Sequence, residues 1–165
     1  MGYACRVLGA DDAADFRALR LDALERYPTA FLTTADEFRV RPLSAHEEAL
    51  AQGKSWGVFD GGALAGIGAL LPLPYAAAAH RAEIVAFYVC PSHQGRGAAD
   101  ALLQAMAAAA QARGIWQLEL FVAEDNPRAR AFYARHGFAE LGLLPNAALI
   151  GDVMTSDIFM VADLR

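Results

Sequence analysis

Short apolar runs and helical spacings of apolar residues divide this chain into alternating strands and helices. An apolar run at residues 3–8 is followed by a helical pattern in which Phe16 and Leu24 fall near one face. Asp11 is placed to cap that helix and Pro28 to end it. The same patterns predict helices at 44–53, 98–113 and 126–136, and strands at 55–59, 63–71, 84–89, 115–122, 138–141 and 158–164.

Turn and capping residues mark the ends of several of these elements. The Asp-Gly-Gly sequence at 60–62 predicts a hairpin between the second and third strands. Ser44 with Glu47 predicts a capping box at the start of the second helix. Early strands are joined by a hairpin, whereas later strands alternate with helices. We therefore expect a single α/β domain over residues 1–165, with a mixed, mostly antiparallel central sheet, helices on both faces and a parallel strand pair flanking the long helix.

The overall composition excludes several classes of partner. The chain has 165 residues, and its formal net charge of −5 argues against the basic surface that nucleic-acid binding requires. Its longest apolar stretch, at 98–116, is interrupted by Asp100 and Arg113, which excludes a membrane span. The N-terminus has no apolar run of the length that a signal peptide needs. We expect a cytoplasmic protein with no nucleic-acid or membrane partner.

Cysteine and histidine positions predict no metal site. Cys5 and Cys90 match no metal-ligand or redox spacing, and such cysteines commonly serve as small packing residues. The four histidines are scattered without a ligand spacing, so no metal is implied. They are His46, His80, His93 and His136.

The clearest chemical signal lies where the strand at 84–89 leads into the long helix. The strand ends at Pro91, and the turn Gln94–Ala99 continues directly into the helix. The first N–H groups of a helix lack internal partners and lie at the positive end of its dipole, so they can bind a phosphate when little side-chain bulk precedes them. Gly95 and Gly97 remove that bulk.

Spacing separates three phosphate-binding motifs at this turn. A P-loop requires Lys and then Ser or Thr after its last glycine, whereas Ala98 and Ala99 follow Gly97. A dinucleotide fingerprint requires a third glycine where Asp100 stands, and the preceding strand does not open a βαβ unit. An ordinary strand-to-helix turn is the structural alternative, because short motifs also occur by chance.

The third pattern, Gln/Arg-x-x-Gly-x-Gly/Ala, is met by Gln94, Gly97 and Ala99. It resembles the acyl-CoA pyrophosphate loop of the GNAT superfamily of N-acetyltransferases. A second stretch, Asn126–Phe138, is similar to the family pattern N-x-x-A-x-x-x-Y followed by G-F, and Glu83 precedes Gln94 by eleven residues, as in many members. The resemblance implies a GNAT-like acyl-CoA N-acyltransferase fold with a splayed parallel strand pair, and an enzyme that transfers acetyl from acetyl-CoA to an amine.

The resemblance implies roles for the residues of an acetyl-CoA site. Main-chain groups of Phe87 and Val89 would hold the pantetheine arm between the splayed strands, and Asn126 would hydrogen-bond its amides. Arg128 and Arg135 are candidates for the phosphates, although arginines on a helix face are more often solvated, and Arg96 is the arginine assigned to them. The pyrophosphate turn comprises Gln94, Gly95, Arg96, Gly97, Ala98 and Ala99.

The resemblance also implies catalytic roles for Tyr133 and Glu83. A phenol, with a reference pKa of about 10, can protonate a leaving thiolate, so Tyr133 is the expected proton donor. Glu83 is the candidate general base, acting through water, because an ammonium group must lose a proton before attack. The alternatives are a core aromatic for Tyr133 and an ion pair with Arg81 for Glu83. Asp100 departs from the family pattern, and its carboxylate would compete with the pyrophosphate.

The amine acceptor is the least defined part of the predicted function. The resemblance implies that loops at 27–32, 72–81 and 143–154 line the acceptor side, and their apolar character points to a small primary amine, an amino acid or a peptide. Transfer is expected to be direct, in a ternary complex. The apolar connection at 143–154 is equally suited to a homodimer contact. The alternative function is a catalytically silent acyl-CoA-binding or regulatory module of the same fold.

Overall fold

The computed structural model describes residues 2–165, so Met1 of the predicted domain lies outside it. Strands form where the sequence is apolar or alternating, and several of them are longer than the sequence predicts. The strands are β1 Ala4–Val7, β2 Ser55–Asp60, β3 Ala63–Pro72, β4 Arg81–Val89, β5 Gln117–Ala123, β6 Ala139–Ile150 and β7 Val153–Asp163.

The seven strands within residues 2–165 form one sheet in the order β1-β2-β3-β4-β5-β7-β6. Neighbouring strands are antiparallel except for β4 and β5, which run parallel. The predicted mixed, mostly antiparallel sheet is therefore confirmed. The predicted hairpin at 60–62 is also present, with Asp60 paired to Ala63 and with Gly61 and Gly62 at φ values of 54° and 91° between them. Positive φ angles are the reason that glycines occupy this turn.

Helices surround the sheet, and two of their predicted starts are wrong. The predicted cap at Asp11 is wrong, because a short turn at Ala10–Asp12 precedes the first helix, which begins at Ala13. The Asp12 side chain makes no capping bond to that helix and instead accepts from the Gly9 N–H at 2.8 Å and pairs with Arg6. The helices are α1 Ala13–Arg26, α2 Ala35–Arg39, α3 Leu43–Ala51, α4 Ala98–Ala112 and α5 Pro127–Arg135.

The predicted capping box at Ser44 and Glu47 does not form, because α3 already begins at Leu43 and Ser44 lies inside its first turn. The capping box belongs to α2. Thr34 Oγ1 accepts from the Glu37 N–H at 3.2 Å, and the Thr34 N–H donates to Glu37 at 2.9 Å. The same Ser/Thr-x-x-Glu spacing occurs at both places, and only the structure decides between them.

The segment at 143–154 was predicted to be a loop, and this is wrong. β6 continues to Ile150 and returns as β7 from Val153. Pro145 interrupts the strand pattern in the sequence, but the register shift between Leu144 and Ala148 accommodates it, with Asn146 at a φ of 54°. Proline is tolerated in strands at such bulges and on edge strands, and β6 is an edge strand.

The core positions α4 at the end of β4. Leu102, Met106 and Ala110 of α4 have no exposed surface and pack with Leu118 and Met160 of the sheet. This packing fixes the N-terminus of α4 beside the gap between β4 and β5. None of the helices within residues 2–165 combines the length and the apolar character that crossing a membrane requires.

Candidate active site

β4 and β5 pair only at their first residues and then separate. Their last register pair is Glu83 with Glu119. Beyond that pair a cavity of about 410 Å³ lies between the two strands, lined by residues 84–89 of β4 and 121–123 of β5. Backbone groups of β4 that face this gap therefore have no β5 partner within the described chain. Such groups can hydrogen-bond an extended ligand as a neighbouring strand would.

A bulge in β4 shapes the wall of this cavity. Ala86 has a φ of 55°, and the register with β3 shifts between Ile67 and Ala69. A non-glycine residue in this region is strained by about 1–3 kcal/mol, and bulges of this kind often redirect groups next to active sites. Phe87 follows the bulge and lines the cavity, where its ring centroid lies 6.1 Å from that of Tyr133.

The predicted phosphate turn lies at one end of the cavity. Gly95 and Gly97 have φ values of 71° and 88°, and Gly97 is the N-terminal cap of α4. An added Cβ would meet no atom within 4 Å at either glycine. Backbone conformation is therefore what requires glycine here, and the space beside the turn is open. That open space, next to the first N–H groups of α4, fits a pyrophosphate.

The Gln94 side chain connects the turn to α5. Its Nε2 donates to the Val89 carbonyl at 2.8 Å, and its Oε1 accepts from Arg128 at 2.8 Å. A carbonyl oxygen accepts up to two hydrogen bonds, so Val89 retains one position for a ligand. Seven of the nine predicted cofactor residues line the cavity, and these are Phe87, Val89, Gln94, Gly95, Gly97, Ala99 and Asn126.

The structure places the other two predicted residues differently. Arg96 is exposed and does not line the cavity, and the Ala98 side chain is fully buried in the core. Arg128 and Arg135, both on α5, line the cavity instead. The order of residues does not show which way Arg96 projects from a glycine-containing turn, so its assignment to the phosphates stays a prediction.

α5 brings Asn126 and Tyr133 to the cavity wall. Asn126 Oδ1 accepts from the Ala129 N–H at 3.0 Å and caps α5, so its amide NH₂ remains as a donor. Tyr133 lines the cavity and is only 8% exposed, with its ring held edge-on by Phe132 and Phe138. Burial raises the pKa of Tyr133 above its ordinary value, which keeps the phenol protonated at neutral pH.

Glu83 lies in a neighbouring cavity and not in the one that contains Tyr133. That second cavity has a volume of about 380 Å³, and Phe121 lines both cavities, so the two adjoin. Burial, and then the charge of Glu119, raise the pKa of Glu83. Arg81, the alternative partner for Glu83, forms its ion pair with Glu119 instead. The Arg81 guanidinium lowers the pKa of Glu119, which therefore stays ionised beside Glu83.

Two carboxylates near the cavities, Glu119 and Asp100, have hydrogen-bond partners that the sequence does not predict. Glu119 is only 6% exposed and is held by Arg81 and Gln117. A glutamate inside a predicted buried strand is the signal that could have identified it. Asp100 lines the first cavity, and its carboxylate accepts from or pairs with His136 Nε2 at 2.9 Å. Asp100 and His136 lie 36 positions apart in the sequence, and that spacing does not indicate their contact.

The predicted acceptor loops differ in their positions. Tyr27, Ala30 and Phe31 line the first cavity, and residues 72–74 line the second. Residues 143–154 line neither of these two cavities, because they form the hairpin of β6 and β7 at the far edge of the sheet.

Nowhere in the described part of the chain do three or more His, Cys, Asp or Glu side chains group as metal ligands.

Known proteins resemble this chain in sequence and in fold. The sequence pattern of the acetyltransferase (GNAT) family matches residues 16–138. A mycothiol acetyltransferase from Beutenbergia cavernae is 32% identical over an alignment of 154 residues, and the match covers 86% of this chain and 47% of that protein. The chain thus spans about half the length of this relative.

Solved structures show the same architecture. An N-acetyltransferase from Staphylococcus aureus Mu50 has a TM-score of 0.82 and 23% identity, with complete coverage of both chains. The yncA protein of Salmonella typhimurium, solved with its cofactor acetyl-CoA, has a TM-score of 0.80 and 18% identity, covering 100% of this chain and 95% of that one. At these identities the likeness establishes the fold.

Proposed function

This chain belongs to the GNAT acetyltransferase family, and on that premise we propose that it is an N-acetyltransferase. It moves an acetyl group from acetyl-CoA to a primary amine by direct transfer in a ternary complex. The observation that carries the proposal is the cavity between β4 and β5. One cavity is lined both by a turn suited to pyrophosphate and by the buried phenol of Tyr133.

The phosphate turn and α5 hold the donor. The first N–H groups of α4 bind the pyrophosphate, and Arg128 and Arg135 add positive charge from α5. Backbone groups of Phe87 and Val89 and the amide of Asn126 pair with the amides of the pantetheine arm. The structure of the yncA protein with acetyl-CoA supports this choice of donor.

The chain supplies two groups for the transfer itself. Acetyl-CoA, when bound, provides an acetyl group activated as a thioester. A backbone N–H of β4 beyond Glu83 stabilises the negative charge that develops on the carbonyl oxygen. Tyr133, protonated and buried in the cavity wall, donates its proton to the departing thiolate.

Glu83 removes the proton of the incoming ammonium group through water. Its cavity adjoins the donor cavity at Phe121, so one or more water molecules have to bridge the two. Its raised pKa makes it a stronger base than an ordinary carboxylate. Glu119, fixed in its ionised form by Arg81, contributes to that shift.

The acceptor enters from the side of the Tyr27–Phe31 loop. Tyr27 and Phe31 give this end of the cavity an aromatic wall, and the net charge of −5 favours encounter with a cationic amine. We propose a small primary amine, an amino acid or a peptide N-terminus. One relative is a mycothiol acetyltransferase, which supports acetyl transfer to some acceptor, but this chain spans only 47% of that protein. We therefore propose a class of acceptor and do not propose mycothiol chemistry for this chain.

A thiol-release screen tests this function. The protein is incubated with acetyl-CoA and a panel of polyamines, amino acids, short peptides and aminoglycosides, and free CoA is titrated. We expect release with at least one of the first three groups. Activity confined to aminoglycosides contradicts the proposed acceptor class. Binding of acetyl-CoA without release across the panel instead favours the catalytically silent module.

A further inference from the structure

A second group of reactive side chains lies outside the two cavities, at the start of the phosphate turn. Cys90 Sγ lies 3.0 Å from His93 Nδ1, and His93 Nε2 lies 3.1 Å from Asp60 Oδ2. Ser92 Oγ lies 2.9 Å from His93 Nδ1 and 3.2 Å from Cys90 Sγ. A nucleophile, a base and a carboxylate that orients the base thus follow one another within hydrogen-bonding distance.

The fold builds this cluster from two separate turns. Asp60 ends β2 at the glycine turn, and Cys90 directly follows β4. Pro91 begins a single 3₁₀ turn, which the His93 N–H closes on the Cys90 carbonyl at 3.0 Å. This turn brings the imidazole back over the thiol. The Tyr3 ring packs edge-on against the His93 ring at 6.1 Å between centroids and limits its rotation.

The Asp60 carboxylate determines which ring nitrogen of His93 carries the proton. An ionised Asp60 can only accept a hydrogen bond, so His93 Nε2 carries the proton that faces it. Nδ1 of the neutral ring is then an acceptor, available to the thiol proton directly or through the Ser92 hydroxyl. After that proton moves, the imidazolium lies between the Cys90 thiolate and the Asp60 carboxylate, and each of the two stabilises it.

We propose that Cys90 is a reactive-thiol modification site whose reagents are small disulfides. Cys90 passes its proton to His93, and the thiolate attacks one sulfur of the disulfide R–S–S–R. A new Cys90–sulfur bond forms as the old S–S bond breaks, and the second sulfur leaves as a thiolate that takes the proton from His93. Cys90 is oxidised to a mixed disulfide, one equivalent of R–SH is released, and no further oxidant is needed.

Cys90, the residue to be modified, lies beside the proposed donor site. Val89 and Gln94 line the donor cavity, and Cys90 lies between them in the chain. Cys90 is half-buried, and the side chains beside it are open to solvent, that of His93 being 22% exposed and that of Asp60 52% exposed. The thiol of Cys5, the other cysteine, forms no hydrogen bond within residues 2–165, and burial raises its pKa.

Kinetics with 2,2′-dipyridyl disulfide, a neutral probe, test the proposal. The Cys5→Ser variant leaves Cys90 as the single thiol. We expect its rate to change little between pH 7 and 9, because His93, and not hydroxide from the solvent, takes the thiol proton. A rate that rises tenfold per pH unit up to the ordinary thiol pKa of about 8.5 would overturn the proposal. This measurement requires no change within the cluster.

Replacement of the base gives a second, independent test. Adding His93→Gln to Cys5→Ser should lower the rate at pH 7 by about tenfold or more and restore the steep pH dependence, with rates converging near pH 9.5. Asp60→Asn should give a smaller loss. His80→Gln is the matched control, because His80 stacks on Trp116 and does not contact Cys90. Equal rates in the His93→Gln and His80→Gln proteins would contradict a role for His93.

Discussion

Tyr133 shows how a single side chain can be held for proton donation. Phe87, Phe132 and Phe138 surround its ring, and burial raises its pKa, so the phenol is protonated at neutral pH, as the proposed proton donation requires. The resemblance of Asn126–Phe138 to the family pattern is what predicts this residue. The aromatic contacts that bury it come from other elements, and the sequence does not show them.

Tyr133→Phe should lower kcat by about 10²- to 10⁴-fold and leave acetyl-CoA affinity nearly unchanged, because only the proton is removed. Steady-state kinetics and calorimetric titration measure the two effects. Tyr75→Phe, at an exposed position, is the matched control. Equal activity of the two variants would remove Tyr133 from the mechanism.

Glu83→Gln should reduce turnover less than Tyr133→Phe and move the rate–pH profile to higher pH, since the amine must then lose its proton unaided. The pKa of Glu83 is raised in the folded protein, so the group favours folding below its unfolded pKa, and this stabilisation is lost as pH rises through the folded pKa. The Gln variant should therefore unfold at a higher temperature than the wild type at pH 7.

The difference in unfolding temperature should disappear below the ordinary glutamate pKa of about 4.3. Glu48→Gln, on the exposed face of α3, is the control and should change neither property. A Gln variant that is less stable at pH 7, with an unchanged rate profile, would show that Glu83 serves only the structure.

Asp100 is the residue that opposes donor binding. Its carboxylate lies in the first turn of α4, within 2.9 Å of His136 Nε2, where it would compete with a pyrophosphate for the positive end of the helix. Asp100→Asn should tighten acetyl-CoA binding by about 2- to 5-fold, the equivalent of roughly 0.3–1 kcal/mol. Asp152→Asn, which removes the same charge at the β6–β7 turn, should leave the acetyl-CoA affinity measured by calorimetric titration unchanged. Weaker binding in Asp100→Asn would contradict the competition.

At the level of elements, α4 has a glycine in the left-handed region at each end. Gly97 begins the helix with a φ of 88°, and Gly114 follows its end with a φ of 78°. A side chain at either position imposes a comparable backbone strain of about 1–3 kcal/mol. Only Gly97 lines the donor cavity. The two positions therefore form a matched pair of variants.

Gly97→Val should abolish detectable acetyl-CoA binding, whereas Gly114→Val should bind normally, and both should lose similar stability. Thermal unfolding with and without ligand separates the two effects. If both variants bind acetyl-CoA equally well, the turn does not hold the pyrophosphate.

Elements with strong local signals were predicted well, and those that depend on distant partners were not. The Asp-Gly-Gly hairpin, α4 and α5 follow from glycines, caps and helical spacing within a few residues. The sequence predicts a strand that ends at residue 141, whereas β6 continues to Ile150, because the bulge that accommodates Pro145 forms only when β7 pairs with it. The capping box was assigned to Ser44 and not to Thr34, because both match the same local pattern.

At the scale of the whole molecule, the sheet order determines the site. The sequence motifs give a parallel β4–β5 pair and identify most of the cavity wall, since these residues lie close together in the chain. The separation of Glu83 from Tyr133 into adjoining cavities depends on where the two strands part, which no local pattern encodes. The contact between Asp60 and His93 likewise joins residues 33 positions apart.

Acetyl-CoA binding to the folded protein tests the central claim, that the gap between β4 and β5 is a donor site, most directly. Thermal unfolding is followed with increasing acetyl-CoA. We expect the melting temperature to rise with concentration, corresponding to about 2.7 kcal/mol of added stability at 100 times the dissociation constant. No shift with either acetyl-CoA or CoA would contradict both the enzyme and the silent binding module.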